Sequence, residues 1–134
     1  MSFTLSLNKF LGQLVLIFVL SGIKIVSGQE VKDQAAPIPD DINMILKASC
    51  IKCHGNSGKV LARIKLNFST WAEYSSLEGA KKASAICSEL VKESMPPKSS
   101  RKSNPELIPS KEQIELICKW AESLKLVEEE KRVR

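Results

Sequence analysis

The stretch Cys50-Ile51-Lys52-Cys53-His54 places two thiols three positions apart and a histidine directly after the second thiol. This spacing is typical of the site at which a c-type haem is covalently attached. The two thiols can each add to one vinyl group of a single porphyrin, and the histidine then supplies an axial nitrogen to the iron. Because one cofactor fixes three of the five positions, the pattern is more specific than a pair of cysteines alone.

The second axial ligand of such an iron cannot be another histidine of this chain, because His54 is its only histidine. Outside the N-terminal leader the candidate ligands are Met44 and Met95, and the alternatives are a lysine or an open site. Met44 lies six residues before Cys50 in a predicted helix, where we expect it to pack in the core. Met95 precedes two prolines in a predicted loop, from which it can approach the iron opposite His54; its alternative role is a core side chain at a helix end. We expect His54 and Met95 to bind the iron, a ligand pair that raises the reduction potential.

Residues 1–28 are predicted to be an export signal peptide. Lys9 gives a short basic region, residues 10–20 (FLGQLVLIFVL) form an apolar run, and small residues precede a cleavage position after Gly28. The run is shorter than the roughly 20 residues that cross a bilayer. Lys24 lies unusually late for a signal, which leaves an uncleaved membrane anchor as the alternative. We expect an exported, periplasmic protein.

Charge and cysteine content fit that compartment. Loss of Lys9 and Lys24 with the signal would lower the net charge of +5 by two, to +3, so the basic pI of 9.1 does not indicate nucleic-acid binding. All four cysteines lie after the signal. Thiols outside the cytoplasm are usually in disulfides or otherwise occupied.

Helical periodicity dominates the remaining sequence. Apolar residues recur at helical spacing over about 40–50, over 78–94, and after a capping box that begins at Ser110. Residues 59–66 are predicted to be irregular and 96–109 to form a loop, while Trp71 and Trp120 are predicted to pack in the core. Because no stretch has a convincing strand pattern, we expect an all-α fold.

The expected organisation has four parts. Residues 1–28 form the signal, 29–39 a linker, 40–126 a small helical domain around one haem, and 127–134 a charged tail that frays.

Two other roles for the cysteine motif are weaker. A dithiol redox motif is expected in a βαβ setting, which the helical pattern does not provide. A zinc site would need a second ligand pair with suitable spacing, whereas Cys87 and Cys118 lie far apart in the sequence without another histidine. Cys87 and Cys118 themselves are predicted either to form a disulfide between two helices or to be separate buried thiols.

Basic residues are frequent around the motif and around Met95. They could surround the haem edge and attract an acidic redox partner protein, or simply form a solvated surface. These residues are Lys52, Lys59, Arg63, Lys65, Lys98, Arg101 and Lys102.

The chain resembles cytochrome c, because a helix that ends in the CxxCH motif is followed by a loop methionine and a closing helix. Among the proteins of that group, it is most similar to the exported bacterial haem-binding domains with a single CxxCH motif. The segments that carry this resemblance are residues 50–54, 66–71 (LNFSTW), 86–87 with 95–96, and 116–121 (LICKWA). It covers about residues 41–126. The loop at 98–109 departs from the family pattern, because Asn104 stands where relatives often carry a histidine.

The resemblance implies a cytochrome c fold, haem c bound to Cys50 and Cys53, His54 as proximal ligand and Met95 as distal ligand. It also favours the Cys87–Cys118 disulfide. The expected function is electron transfer between partner proteins without enzymatic activity. The alternative is a haem-based sensor or binder of a small molecule.

Overall fold

A computed structural model describes residues 33–134, and this part of the chain is all-α, as predicted. The predicted signal peptide and the first residues of the predicted linker lie outside the described residues. Within residues 33–134, six α-helices follow one another: α1 Asp40–Ser49, α2 Ile51–His54, α3 Val60–Lys65, α4 Ser76–Val91, α5 Lys98–Ser103 and α6 Lys111–Val133. Two 3₁₀-helices, Phe68–Glu73 and Pro105–Leu107, lie between them.

Helix α1 buries one apolar face. Ile42, Ile45 and Leu46 are buried, which confirms the predicted core side of this helix. The prediction for Met44 is wrong, because its side chain is 67% exposed. At about 100° per residue, Met44 lies on the opposite side of α1 from Ile42 and Leu46.

Helices α4 and α6 form the main packing unit. They run antiparallel, since Ser76 at the start of α4 accepts a hydrogen bond from Lys131, near the end of α6, at 3.0 Å, while a disulfide joins Cys87 to Cys118. The disulfide alternative of the sequence analysis is therefore confirmed. Helix α6 begins with the predicted capping box, in which Ser110 and Gln113 bond each other's backbone N–H groups.

A cluster of aromatic side chains packs between the 3₁₀-helix Phe68–Glu73 and α6. Trp71 and Trp120 are buried with ring centroids 5.5 Å apart, as predicted for core residues. Phe68 stacks on Trp71 with centroids 6.3 Å apart, and Tyr74 meets Trp71 edge-on. This cluster links the 3₁₀-helix Phe68–Glu73 to α6 and leaves one side of Phe68 facing His54.

Residues 33–39 have no helix, yet they pack against the domain. Trp71 donates its indole N–H to the carbonyl of Ala36 at 2.9 Å, and the Ala35 N–H donates to Tyr74 at 2.8 Å. A Cβ at Gly79 would come within 2.6 Å of the Ala35 Cβ, so only glycine lets this segment lie against α4. Hydrogen bonds from Ser76 lower the pKa of Asp33 at the edge of this contact.

Three sequence predictions differ from the structure. Residues 60–65 are a helix instead of irregular chain, the predicted loop at 96–109 contains α5 and a 3₁₀ turn, and the charged tail continues α6 to Val133. Two ion pairs at i,i+3 and i,i+4 spacing, Lys131 with Glu128 and Lys125 with Glu129, support the helical tail. Within residues 33–134, no helix is long and apolar enough to cross a membrane.

Candidate functional site

The CxxCH motif begins at the junction of α1 and α2. Cys50 separates the two helices, with its N–H bonded to the carbonyl of Leu46 at 2.8 Å. Its own carbonyl accepts from the N–H groups of Cys53 at 3.1 Å and His54 at 2.9 Å. One helical turn therefore holds both thiols and the imidazole in a fixed relation.

The imidazole of His54 is oriented by backbone carbonyls of the next segment. Its Nδ1 lies 3.2 Å from the carbonyl oxygen of Ala62 in α3 and 3.1 Å from that of Leu66. Since both neighbours are acceptors, Nδ1 carries a proton and donates it, and Nε2 is the ring nitrogen that neither carbonyl engages. A histidine that binds a metal through one nitrogen is commonly held in this way through the other. Phe68 packs edge-on against the ring, with centroids 6.3 Å apart.

The loop after His54 returns directly against the motif. The N–H of Gly58 donates to the carbonyl of Gly55 at 2.8 Å. A Cβ at Gly58 would lie 2.0 Å from the carbonyl oxygen of Cys53, so a side chain cannot be accommodated there. This close approach carries the chain back past His54 and into α3.

The end of α4 determines where Met95 lies. Glu93 has φ of 55°, and the N–H groups of Glu93 and Ser94 donate to the carbonyls of Leu90 and Glu89, both at 3.0 Å. This pattern is the Schellman motif, which reverses the chain after a helix. The Met95 N–H also donates to the Glu89 carbonyl, at 3.3 Å. As a result, Met95 leaves the helix at a defined position.

All four predicted site residues line one cavity. Cys50, Cys53, His54 and Met95 surround a volume of about 50 Å³. The remaining lining residues, which the sequence did not indicate, are Ser49, Pro96, Pro97, Ser100 and Leu107. The structure thus brings Met95 to a motif that lies more than forty positions earlier in the chain.

Cys50 and Cys53 are half-buried and unpaired. Burial, with a smaller contribution from Cys53, raises the pKa of the Cys50 thiol to about 11. A thiol-disulfide catalyst needs a lowered thiol pKa because the thiolate is the attacking species. The surroundings of Cys50 therefore disfavour dithiol redox catalysis. In residues 33–134, no three His, Cys, Asp or Glu side chains converge as a metal-binding group.

Two polar contacts hold α5 next to the cavity. Lys52, between the two cysteines, donates to the Asn104 side chain at 2.8 Å. Arg101 lies 3.7 Å from the carboxylate of Glu93. Two of the basic residues that were considered for partner binding, Lys52 and Arg101, are thus in polar contacts with residues beside the cavity. The Lys52–Asn104 contact was not foreseeable, because residues 52 positions apart show no joint pattern in one sequence.

The donor set fits a covalently bound haem. It offers two free thiols, an imidazole with Nε2 available and a thioether. Arg63, in the helix that bonds His54, has a buried Nε without a hydrogen-bond partner in the described structure, but Arg63 is not among the residues that line the cavity. The cavity is smaller than the roughly 300 Å³ at the lower end of cofactor pockets. A porphyrin would therefore require the segment with α5 to lie farther from Cys50.

Comparisons with known proteins do not identify a family for this chain. The chain matches no protein-family model, no curated protein and no solved structure.

Proposed function

We propose that this protein is an exported monohaem c-type cytochrome that carries single electrons between partner proteins. The observation that carries the proposal is the meeting of Cys50, Cys53, His54 and Met95 at one cavity. Two thiols, an imidazole and a thioether are the protein groups that would hold a c-type haem. Their meeting there depends on the chain reversal at Glu93 and on the carbonyls that orient His54.

Each residue has a separate role in this proposal. Cys50 and Cys53 form thioether bonds, and their unpaired, half-buried state leaves them available for this reaction. His54 presents Nε2 to the iron while the Ala62 and Leu66 carbonyls hold Nδ1–H. Met95 would hold the iron through its sulfur. A bound haem would supply one-electron chemistry, and with His54 and Met95 both holding the iron the site would leave no place for a substrate.

The disulfide is consistent with export. A Cys87–Cys118 bond persists in oxidising compartments and is rare in the reducing cytoplasm. Covalent haem attachment occurs outside the cytoplasm in the family that the sequence resembles. Both features support a periplasmic location, with membrane attachment only if the N-terminal segment is retained.

A second candidate function is supported by the exposure of Met95, which is 39% accessible on a surface segment. A methionine at such a position can be displaced from iron by a small ligand. The protein would then be a haem-based sensor or ligand-binding domain.

The first test is the mass of the protein exported from cells that contain the haem-attachment machinery. The expected mass is that of the chain from Gln29 to Arg134 plus one haem, and the band should retain haem peroxidase stain after denaturing electrophoresis. An exported protein with the bare polypeptide mass and no stain would overturn the proposal.

Replacing Met95 by alanine should remove the sulfur ligand and lower the reduction potential by on the order of 0.1 V or more, within the roughly 0.8 V range that axial ligands span. Met44→Ala is the matched control, because Met44 is the other methionine among the described residues and is exposed on α1. Redox titration and the near-infrared methionine–ferric band provide the measurements. Carbon monoxide should bind Met95→Ala readily and the control hardly at all.

The same spectra distinguish the two candidate functions. If the wild-type protein binds carbon monoxide as readily as Met95→Ala does, the sensor function is supported. If Met95→Ala keeps the low-spin six-coordinate spectrum and the wild-type potential, Met95 is not the ligand.

A further inference from the structure

The outer face of α3 is apolar and exposed. Val60, Leu61 and Ile64 are 61%, 80% and 74% accessible, respectively. Their i,i+3 and i,i+4 spacing places Ile64 beside both other side chains on one side of the helix. Three large apolar side chains grouped on one short helix form a surface that no other part of residues 33–134 covers, which is typical of an interaction site.

Exposed basic residues lie at both ends of this apolar group, within a part of the sequence that has no acidic residue. The sequence from Ile42 to Ala72 contains no Asp or Glu, and its basic residues are Lys47, Lys52, Lys59, Arg63 and Lys65. Lys59 and Lys65 are the two exposed basic residues at the ends of α3. An apolar centre with a charged rim is the usual arrangement of a protein interface.

The inner side of the same helix contacts the candidate iron ligand. The Ala62 carbonyl accepts the hydrogen bond from His54 Nδ1 at 3.2 Å. An α-helix with its side chains is about 10–12 Å across. A protein seated on Leu61 and Ile64 would therefore be separated from the His54 ring by one helix.

From these observations we infer that the α3 face, defined as Lys59, Val60, Leu61, Ile64 and Lys65, is the docking surface for an acidic electron-transfer protein. The identification of the partner as a redox protein rests on the proposed function, whereas its acidity rests on the charge of residues 42–72. Two copies of this chain that met through their α3 faces would present the same positive charge and be repelled. A lipid surface is the other candidate occupant of this face, and the vesicle measurement described below distinguishes it from a protein partner.

The test uses an acidic blue-copper protein as the probe and the full exported chain, with binding followed by calorimetry at low and high salt. Leu61→Gln/Ile64→Gln removes the apolar centre and keeps good helix formers. Lys59→Glu/Lys65→Glu reverses the rim charge. We expect each double variant to weaken binding about tenfold or more, and the charge effect to shrink at high salt.

Matched controls lie on α6, away from α3. Leu126→Gln replaces an apolar side chain that is 56% exposed, and Lys111→Glu/Lys119→Glu reverses two exposed charges. These controls should change the dissociation constant by less than about twofold. If the α3 variants behave like the controls, or if the wild-type chain does not bind the probe, the docking surface is overturned.

Two further measurements separate the possible failures. Vesicles of phosphatidylglycerol replace the probe, and tighter binding to them than to the blue-copper protein, lost in the α3 variants, would assign the face to lipid instead. Calorimetry on the chain produced without haem attachment tests the surface independently of the cofactor. Loss of haem stain with retained α3-dependent binding would overturn the proposed function alone, and haem stain without that binding would overturn the docking surface alone.

Discussion

Cys50→Ala/Cys53→Ala is expected to give an exported chain that carries no covalent haem at all. Both thioether bonds need a thiol at these positions, and among the described cysteines these are the two that are not in a disulfide. The measurement is peroxidase staining after denaturing electrophoresis, together with the intact mass. Each single variant should keep one bond to the porphyrin and give a weaker band.

The second cysteine pair provides the matched control. Cys87→Ala/Cys118→Ala removes the same number of sulfur atoms from a position between α4 and α6, outside the candidate site. It should retain haem stain in whatever protein is recovered from the periplasm. Equal loss of stain in both double variants would contradict a specific role for Cys50 and Cys53.

The disulfide variant has the other large expected effect, a loss of stability. The Cys87–Cys118 bond closes a loop with a sequence separation of 31 residues. Loss of this constraint on the unfolded chain should lower the free energy of unfolding by about 4 kcal/mol. That amount is a large fraction of the roughly 5–15 kcal/mol by which small proteins are stable.

Urea denaturation of Cys87→Ala/Cys118→Ala against the wild-type protein checks this expectation. A wild-type sample treated with reductant is the control, because it breaks the bond without changing the side chains on α4 and α6. Both samples should unfold at clearly lower urea concentration than the oxidised protein. Equal stability of all three would show that packing of Leu90 and Ile117 already holds these helices together.

The long helices were predictable because each buries one periodic face. Ile42, Ile45 and Leu46 in α1, and Ile117 and Ala121 in α6, follow helical spacing and are buried. The same helical spacing places Met44 on the other side of α1, so its exposure was also predictable from the sequence. Val91 follows the same spacing in the sequence, yet it is 65% exposed at the end of α4.

The short helices were not predictable for a physical reason. Helix α5 has the sequence KSSRKS, without an apolar residue, and helices of this length are unstable in isolation. Contacts such as Arg101 with Glu93 and Asn104 with Lys52 hold this region beside the cavity. Helix α3 is likewise held by a tertiary contact. The backbone carbonyls of Ala62, within α3, and of Leu66, directly after it, accept the hydrogen bond from the His54 ring.

By itself, the sequence determined the chemistry that is available. It placed two thiols and the sole histidine within five residues, gave the helices their apolar faces, and left Met95 before two prolines. Only the tertiary structure decided that Cys87 joins Cys118, that His54 bonds α3 through Nδ1, and that Met95 reaches the cavity of Cys50. Periodicity reports which side of a helix is buried, whereas the segment that covers it is chosen by packing between distant parts of the chain.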